Sequence, residues 1–509
     1  MIKGAHVVAF PFPAGGHLAR FIPFAKSLAR NGLTITFITT IPHLANARRA
    51  LVESNSFEAR ENIRLVCFDL PAEYAEVNRK NFIAMIQVTN NMRHQLCELM
   101  TALMKPNGVT SDISQSSDSR FGPPVCIISD MFLAWTQDIA DEFKIPRYCL
   151  FPTPHLLSLL YSLRDFNAQG LLPVPSDGKP LEIPCFPPIV PSDLPSNLPS
   201  PGLLVYEGER LWEAAGVLVN SVYELESEII DGLQEMICKH STREQVSSSV
   251  QVPKILAVGP FMFENIQFSE GDQPLRQRLQ FAQDNNECLH WLSKQPESSV
   301  LFICFGTISV FPMQQMHEFA SGLEASGVRF LWVVKIPAAS STVNGLSPIT
   351  STDQQHLASY FPKSFMERTK DRGFIYTSWA PQLQILAHPT IGGFLTHCGW
   401  NSVTESIAMG VPMIAWPLWA DQMLNRVLCV DILHIALPVH KNFKDTVVRG
   451  EEVERVIRLL MEDKRGQAMK KNVEELSKVL EKATGPGGSS RRNLALFVEE
   501  VNSIRLMNK

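Results

Sequence analysis

Short apolar runs rich in β-branched residues alternate with amphipathic runs along the first half of the chain. HVVAF (6–10) predicts a strand, residues 17–30 predict a helix with apolar positions at helical spacing, and LTITFIT (33–39) predicts a second strand. A strand, a helix and a strand at this spacing form a βαβ unit, so the two strands are expected to run parallel. Further strands are predicted at 63–70, 125–129 and 255–261.

The same alternation returns after a polar stretch at 262–285. Apolar runs separated by helical patterns predict strands at 299–307, 329–334, 373–378, 392–397 and 412–417. Both halves are therefore expected to form doubly wound parallel sheets. Two such domains imply a cleft between them, and ligands of this fold class bind outside the carboxyl ends of the strands.

Two stretches lack a core pattern. Residues 106–124 are rich in Ser, Asp, Gly and Pro and predict a solvated loop, and the Pro-rich residues 169–202 predict an irregular segment of the kind that often forms a functional lid or rim.

Composition describes a globular protein of 509 residues, 45% hydrophobic and 19% charged, with a net charge of −5. The acidic balance gives no electrostatic basis for binding nucleic acid or anionic membranes. No run of eighteen apolar residues predicts a membrane span, and the first apolar run is too short for a signal peptide. The ten cysteines show no CxxC pair and no zinc spacing. We therefore expect a cytoplasmic protein with free thiols and without nucleic-acid partners or membrane insertion.

A histidine and an aspartate follow two of the predicted strands in the N-terminal half. His17 comes after the turn PFPAGG at the start of the first helix, and Asp130 ends the strand VCIIS. A histidine that acts as a general base needs a partner that holds its tautomer and stabilises the imidazolium, and Asp130 is a candidate for that partner. Taken alone, a histidine at a helix start is more often a surface residue, and an aspartate at a strand end is commonly a turn residue.

The junction THCGWNS in the C-terminal half carries more polar chemistry than a turn needs. The strand ends at His397, and a helix is expected to begin near Asn401 or Ser402. Unsatisfied N–H groups at a helix start bind phosphate readily. The structural alternative is a capping box, because Ser402-Val-Thr-Glu405 has the S-x-x-E pattern. No GxGxxG, Walker or HExxH sequence occurs, which argues against dinucleotide enzymes, P-loop proteins and zincins.

Residues 379–422 form one pattern when they are considered together. The segment WAPQLQILAHPTIGGFLTHCGWNSVTESIAMGVPMIAWPLWADQ closely resembles the 44-residue signature of plant UDP-dependent glycosyltransferases, the small-molecule enzymes of family 1. The resemblance extends over nearly the whole chain, through PFPAGGH, CLHWLSKQ, FGT and GGSSRRNL.

The resemblance implies a GT-B fold, with two Rossmann-like doubly wound parallel-sheet domains facing across a cleft. It implies an N-terminal acceptor-binding domain over 1–261, a linker over 262–285 and a UDP-sugar-binding domain over 286–485. A final helix over 486–509 is expected to return to the N-terminal domain.

The resemblance also assigns the donor site. Trp379 is expected to stack on uracil with the Ala380 and Gln382 backbone nearby, and Glu405 is expected to accept the ribose hydroxyls. The diphosphate is assigned to His397, Asn401 and Ser402 with Thr307 or Ser309. Trp400 is expected to contact the sugar largely through its backbone. Asp421 and Gln422 are expected to bind the sugar hydroxyls. Gln at position 422 goes with glucose donors in this family.

His17 matches the catalytic base of the family and Asp130 its partner. The implied reaction is the inverting, metal-independent transfer of glucose from UDP-glucose, a co-substrate, to a small apolar hydroxylated acceptor, with no cofactor and with the protein as a monomer. Flavonoids or other phenolics are the favoured acceptors, and terpenoids, steroids or hormones the alternative. Candidate residues of the acceptor pocket are Met131, Phe132, Trp135, Phe151, His155, Phe82 and Met85. A different GT-B enzyme, such as an epimerase or a phosphorylase, and an inactive sugar-nucleotide-binding protein also remain open. The chain departs from common members at AGGHLARFIPF, where many have QGH followed by other residues.

Overall fold

The chain forms two compact units in the computed structural model, which describes residues 4–52, 61–76, 82–105, 121–170, 179–190, 194, 201–243, 253–263, 275–280, 286–306, 311–335, 359–440 and 447–507. Unit 1 comprises Met1–Glu270 together with Lys482–Lys509, and unit 2 comprises Gly271–Glu481. No helix among the described residues combines the length and apolar character needed to cross a bilayer.

Unit 1 is built on a seven-stranded sheet in which every neighbouring pair is parallel. Its strands are β1 His6–Phe10, β2 Thr34–Thr40, β3 Ile63–Phe68, β4 Pro124–Asp130, β5 Arg147–Phe151, β6 Gly216–Val219 and β7 Lys254–Ala257. Their spatial order is β3-β2-β1-β4-β5-β6-β7, so the order reverses between β1 and β4. That reversal is the topological switch point at which α/β sheets bind ligands.

The helices of unit 1 cover the two faces of this sheet. They are α1 Gly15–Arg30, α2 Ile41–Ala47, α3 Ala72–Glu76, α4 Phe82–Thr89, α5 Arg93–Met104, α6 Thr136–Glu142, α7 Pro154–Ala168, α8 Pro201–Glu209 and α9 Ser227–Arg243, with the C-terminal helix described below. Helix α1 forms because Leu18, Phe21, Ala25 and Leu28 recur at helical spacing and are all buried on one face. It carries its first turn, with His17, to the carboxyl end of β1.

Unit 2 repeats this design with a six-stranded parallel sheet. Its strands are β8 Val300–Cys304, β9 Arg329–Val333, β10 Gly373–Tyr376, β11 Ile391–Thr396, β12 Met413–Ala415 and β13 Ala436–Pro438, in the order β10-β9-β8-β11-β12-β13. The switch point falls between β8 and β11, where Cys304 lies opposite Thr396. The two strand orders are those of Rossmann-like sheets, as the sequence predicts.

The helices of unit 2 include three short ones that begin immediately after strand-end loops. The described helices are α10 Leu275–Gln280, α11 Glu287–Leu292, α12 Met313–Ser326, α13 Phe365–Thr369, α14 Gln382–Ala387, α15 Trp400–Ala408, α16 Gln422–Val427, α17 Gly450–Met461 and α18 Lys464–Thr484. The last three residues of α18, from Lys482, are assigned to unit 1. Helix α10 lies inside the stretch 262–285 that was expected to be a linker, and it belongs to unit 2. Most of that stretch lies outside the described residues. Residues 106–120 of the predicted loop and much of the Pro-rich segment 169–202 also lie outside them.

The last helix of the chain, α19 Ser489–Met507, belongs to unit 1. Its buried residues Leu494, Phe497, Val498 and Val501 join the core that also contains the β1 residues Val7 and Ala9. Polar contacts also hold it there: among them, the Ala5 backbone N–H donates to Asn502 Oδ1 at 2.9 Å, and the Tyr148 hydroxyl donates to Glu500 Oε1 at 2.5 Å.

Candidate active site

The switch point of unit 1 brings His17 and Asp130 together. Strand β1 ends at Phe10, and a short loop leads to α1, so His17 lies in the first helical turn. Asp130 is the last residue of the neighbouring strand β4, which pairs with β1 as far as Phe10 opposite Ser129. Two residues 113 positions apart in sequence therefore meet because β1 and β4 are adjacent.

His17 and Asp130 make a direct contact, with 2.8 Å between Nδ1 and Oδ2. Asp130 is fully buried, and its other oxygen, Oδ1, accepts the Phe132 backbone N–H at 3.2 Å. The His17 side chain keeps 14% of its surface exposed. The rings of Phe12 and Phe132 pack against the imidazole, with centroid distances of 5.1 and 5.7 Å, and against each other at 6.0 Å. The site thus offers a reachable imidazole that is backed by a buried carboxylate.

The carboxylate of Asp130 stays ionised despite its burial. Burial alone raises the pKa of Asp130, but the charges of His17 and Arg20 and the hydrogen bonds from His17 and Phe132 outweigh it and leave the pKa below its usual value. When Nδ1–H of His17 donates to this carboxylate, Nε2 keeps a lone pair and can accept a proton from a substrate.

Arg20 is part of this group, although the sequence analysis did not select it. One turn after His17 on α1, its Nη2 lies 2.9 Å from Asp130 Oδ2 and 2.6 Å from His17 Nδ1. Its side chain is only 9% exposed. The i, i+3 spacing of His17 and Arg20, which places both on one helix face, was the available signal.

The switch point of unit 2 holds His397 in a pocket made by two glycines. A Cβ atom at Gly306 would lie 2.8 Å from His397 Nε2, and a Cβ at Gly399 would lie 2.5 Å from the same atom. Gly306 also has a φ of +78°, which favours glycine. Burial lowers the pKa of His397 to about 4, although the Asp421 charge and the Cys304 backbone act to raise it. The imidazole is therefore neutral near pH 7, and its Nδ1 is buried without a hydrogen-bond partner in the described part of the chain.

Helix α15 begins at the opening after His397. Cys398 adopts a φ of +62°, Gly399 is the N-cap, and no side chain caps the first turn. The first N–H groups of α15 thus meet no capping side chain and suit an anion. Helix α15 starts at Trp400, ahead of the predicted start.

The capping box considered for Ser402 and Glu405 is wrong. Because Gly399 is the N-cap, Ser402 already lies inside the first turn. Gln382 Nε2 donates instead to Ser402 Oγ at 3.0 Å and to Glu405 Oε2 at 2.7 Å, so α14 and α15 are joined by three predicted site residues. Burial raises the pKa of Glu405 to about 7, against the lowering effect of the Gln382 hydrogen bond.

The remaining donor-site candidates lie in the segments that follow strands of unit 2. Trp379 follows β10 and is 73% exposed, which leaves its ring faces accessible. Ala380 follows it and accepts the Gln382 N–H at 2.9 Å, while Trp400 is buried and Asn401 half-buried in the first turn of α15. Thr307 and Ser309 lie outside the described residues.

Asp421 and Gln422 begin α16 after β12, and both already have protein partners. Gln422 Oε1 accepts the backbone N–H groups of Leu418 and Trp419 at 2.8 and 3.1 Å. Asn425, which the sequence analysis did not select, donates to Asp421 Oδ2 at 3.1 Å and to the Cys398 carbonyl at 2.8 Å. Asn425 thus ties the start of α16 to the turn after His397.

Six of the seven residues expected in the acceptor pocket are buried. Phe151 and His155 are fully buried, and His155 Nδ1 lies 2.8 Å from the buried carboxylate of Glu226. Met131, Phe132, Trp135 and Met85 are also buried, with Phe132 against the His17 ring. Phe82 begins helix α4. No cluster of three or more His, Cys, Asp or Glu that would hold a metal ion occurs among the described residues.

Comparison with known proteins gives these features a context. The family model described as UDP-glucoronosyl and UDP-glucosyl transferase matches residues 280–484. UDP-glycosyltransferase 72B2 of Arabidopsis thaliana is 32% identical, over 96% of this chain and 94% of its own. The phloretin 2'-O-glucosyltransferase of Malus domestica is 36% identical, over 77% of this chain and 78% of its own. The structure of Phytolacca americana UGT2 complexed with UDP-2fluoro-glucose and pterostilbene superposes with a TM-score of 0.76 at 26% identity, over 98% of this chain and all of that one.

Fold and relatives together define a glycosyltransferase of the GT-B class that uses a UDP-sugar, which confirms the expected fold class and enzyme class. The chain belongs to the plant UDP-glycosyltransferase family.

Proposed function

We propose that this enzyme transfers glucose from UDP-glucose to a phenolic hydroxyl group, with inversion at the anomeric carbon, to give a β-O-glucoside. The observation that carries the proposal is the contact between His17, which remains accessible, and the buried, ionised carboxylate of Asp130. A hydroxyl is a poor nucleophile until a base takes its proton in the transition state, and this pair is suited to that task.

In the proposed step, His17 Nε2 accepts the proton of the acceptor hydroxyl while Asp130 holds Nδ1–H. The acceptor oxygen forms a bond to the anomeric carbon, the bond from that carbon to the UDP oxygen breaks, and UDP departs with the bonding electrons. Attack from the side opposite UDP inverts the α-linked donor to a β-linked product. Without Asp130, the imidazolium formed in this step would lose its nearest anion.

The donor is assigned to unit 2. Trp379 would stack on uracil, with the backbone of Ala380 and Gln382 beside it, and Glu405 would accept ribose hydroxyls. His397, Asn401, Ser402 and the start of α15 would bind the diphosphate and stabilise the charge that develops on UDP. Trp400, Asp421 and Gln422 would bind the sugar. Gln422 supports glucose through the family correlation, and its Nε2 remains for a sugar hydroxyl, since Oε1 is taken by two backbone N–H groups.

The acceptor class rests on the relatives and on the aromatic surroundings of His17. Relatives named for phloretin and a neighbour bound to pterostilbene act on or bind phenolic molecules. The rings of Phe12 and Phe132 pack against the proposed base, and such aromatic surroundings suit a flat aromatic acceptor. The ten cysteines, all of them described, are free, which is compatible with a cytoplasmic enzyme.

A panel of phenolic, terpenoid and steroid acceptors with UDP-glucose, UDP-galactose and UDP-glucuronate, read by mass, tests the assignment. We expect phenols with UDP-glucose to give the fastest transfer, β-configured products, and unchanged turnover after EDTA treatment. Preferential transfer to terpenoid or steroid alcohols would contradict the acceptor class, and donor binding without any transfer would leave a sugar-nucleotide-binding protein.

The base assignment has its own test. His17→Ala is expected to lower turnover by about 10²–10⁴-fold, because it removes the general base, and to leave the Kd for UDP measured by calorimetry unchanged. Asp130→Asn keeps the shape but removes the charge, so it should also lose most turnover. Full turnover by His17→Ala would show that another group takes the proton.

A further inference from the structure

Three polar atoms form a nearly equilateral triangle at the proposed base. Asp130 Oδ2 lies 2.8 Å from His17 Nδ1 and 2.9 Å from Arg20 Nη2, and the two nitrogens are 2.6 Å apart. Within the described residues the Arg20 guanidinium has no other hydrogen-bond partner, and its buried Nε–H is unpaired. Among the described residues, Arg20 therefore makes its polar contacts only with His17 and Asp130.

The three contacts cannot all be hydrogen bonds at one time. Seen from Arg20 Nη2, the other two atoms diverge by only about 60°, whereas its two N–H bonds diverge by about 120°. If His17 Nδ1–H donates to Asp130, Arg20 also donates to Asp130, and Nε2 is a base. If Arg20 donates to Nδ1 instead, the proton of the neutral ring lies on Nε2, and the ring cannot take a proton there.

Once His17 is protonated, its neighbour Arg20 becomes a source of repulsion. Two cations then share one carboxylate oxygen in a largely buried site, and each reduces the stabilisation that the other receives. Only His17 can respond to this repulsion by losing its proton, because a guanidinium remains charged at every relevant pH.

The described groups around His17, Asp130 and Arg20 come from several elements of unit 1. Phe12 and Phe132 pack against the His17 ring. His43 and Tyr74 contact the loop before α1 through the Pro13 carbonyl, at 3.3 and 2.8 Å. On α8, Glu207 accepts the Ala134 N–H, and burial raises its pKa to about 8, so it is largely protonated near neutral pH. Buried Arg147 donates to Ser129 Oγ, and burial raises the pKa of the nearby Cys149 thiol to about 12.

We propose that Arg20 is a positioning residue that makes His17 a weak base and thereby matches the enzyme to acidic hydroxyls, phenols rather than aliphatic alcohols. This inference rests on the proposed function and names its substrate class more closely. A weak base takes a proton most readily from an acidic donor, and a phenol, with a pKa near 10, is a far stronger acid than an aliphatic alcohol. The same weakness keeps His17 unprotonated, and hence active, at lower pH.

The test is the pH dependence of kcat/KM for wild type, Arg20→Met and Arg20→Lys, with 2-naphthol and with 2-naphthalenemethanol as acceptors. Loss of the charge should let His17 hold its proton more tightly, so Arg20→Met should move the acidic limb up by about one pH unit, a tenfold loss of kcat/KM well below the limb. The preference for 2-naphthol should fall. Arg20→Lys retains a cation and should restore the wild-type limb.

Arg147→Met, the loss of another buried arginine, is the matched control and should lower stability without moving the limb. An Arg20→Met enzyme whose activity falls equally at all pH values, with the limb in its wild-type place, would reduce Arg20 to a structural role and overturn the inference. A shifted limb with an unchanged naphthol preference would overturn the substrate class alone.

NMR titration of the His17 ring in the free protein separates this inference from the proposed function. A higher His17 pKa in Arg20→Met would support the role of Arg20 even if no acceptor were glucosylated, and an unchanged pKa would contradict it.

Discussion

At the scale of single residues, the protonation state of Glu405 links pH to donor binding. Its pKa of about 7 means that Glu405 is half protonated near neutrality. A carboxylate accepts hydrogen bonds from ribose hydroxyls, so the ionised form is the one expected to bind. Donor affinity should therefore be present above pH 7 and be lost as the pH falls below it.

The measurement is the Kd of UDP-glucose from pH 6 to pH 8, since this diphosphate diester does not itself titrate in that range. We expect affinity to rise about tenfold across the range in wild type and to stay flat in Glu405→Gln. His397, with a pKa of about 4, is already neutral throughout the range. A wild-type profile as flat as that of the variant would remove Glu405 from the ribose site.

Residue types and their order predict most candidates of the site, but not how they are paired. A histidine after a strand and an aspartate at a strand end become a pair only when β1 and β4 are neighbours, which no local pattern encodes. Arg20 was missed for the same reason, because an arginine on a helix is expected to point to solvent and here finds a buried carboxylate. The bridge from Gln382 to Glu405 likewise depends on the packing of α14 against α15.

At the scale of elements, the start of α15 depends on glycine at position 399. Its backbone conformation, with φ of −61° and ψ of 138°, is open to any residue, so only the space for the His397 ring requires glycine. Gly399→Ala should displace the imidazole and weaken UDP-glucose binding by about tenfold, with a loss of stability of about 1–3 kcal/mol from overpacking. Calorimetry and thermal unfolding check this, with Gly202→Ala, where an added Cβ meets nothing within 4 Å, as the control. Unchanged affinity in Gly399→Ala would show that the position of His397 does not matter for the donor.

Element prediction succeeded for most strands and missed β5, β6 and β13. Strands β1, β2, β4 and β8 are apolar runs bounded by turns, and they were expected within a few residues of their observed bounds. Strand β5 begins with Arg147, which looks like a surface residue in sequence but is buried and hydrogen-bonded to Ser129. Strand β13 has only three residues, too few to show a period.

At the scale of the whole molecule, unit 1 is completed by the last segment of the chain. Helix α19 packs beside strands formed by the first residues, and Asn493 donates to the Ala257 carbonyl on β7 at 2.9 Å. Contacts between residues so far apart in sequence are costly to form, so the unit can be completed only when the C-terminus is present. The sheet of unit 1 should accordingly depend on α19 for a substantial part of its stability.

Phe497 offers a sharp test, because it is fully buried and its ring meets Tyr148 edge-on at a centroid distance of 4.9 Å. Phe497→Ala should lower the free energy of unfolding of unit 1 by about 3–5 kcal/mol, through lost burial and the cavity left behind. Leu496→Ala, on the same helix but 55% exposed, should change it by less than about 0.5 kcal/mol. Denaturant unfolding followed by hydrogen exchange at β1 and β4 measures both variants. Equal losses of unfolding free energy in the two variants would mean that α19 does not contribute to the stability of unit 1. If α19 is part of the core, a substitution on its buried face must cost more than one on its exposed face.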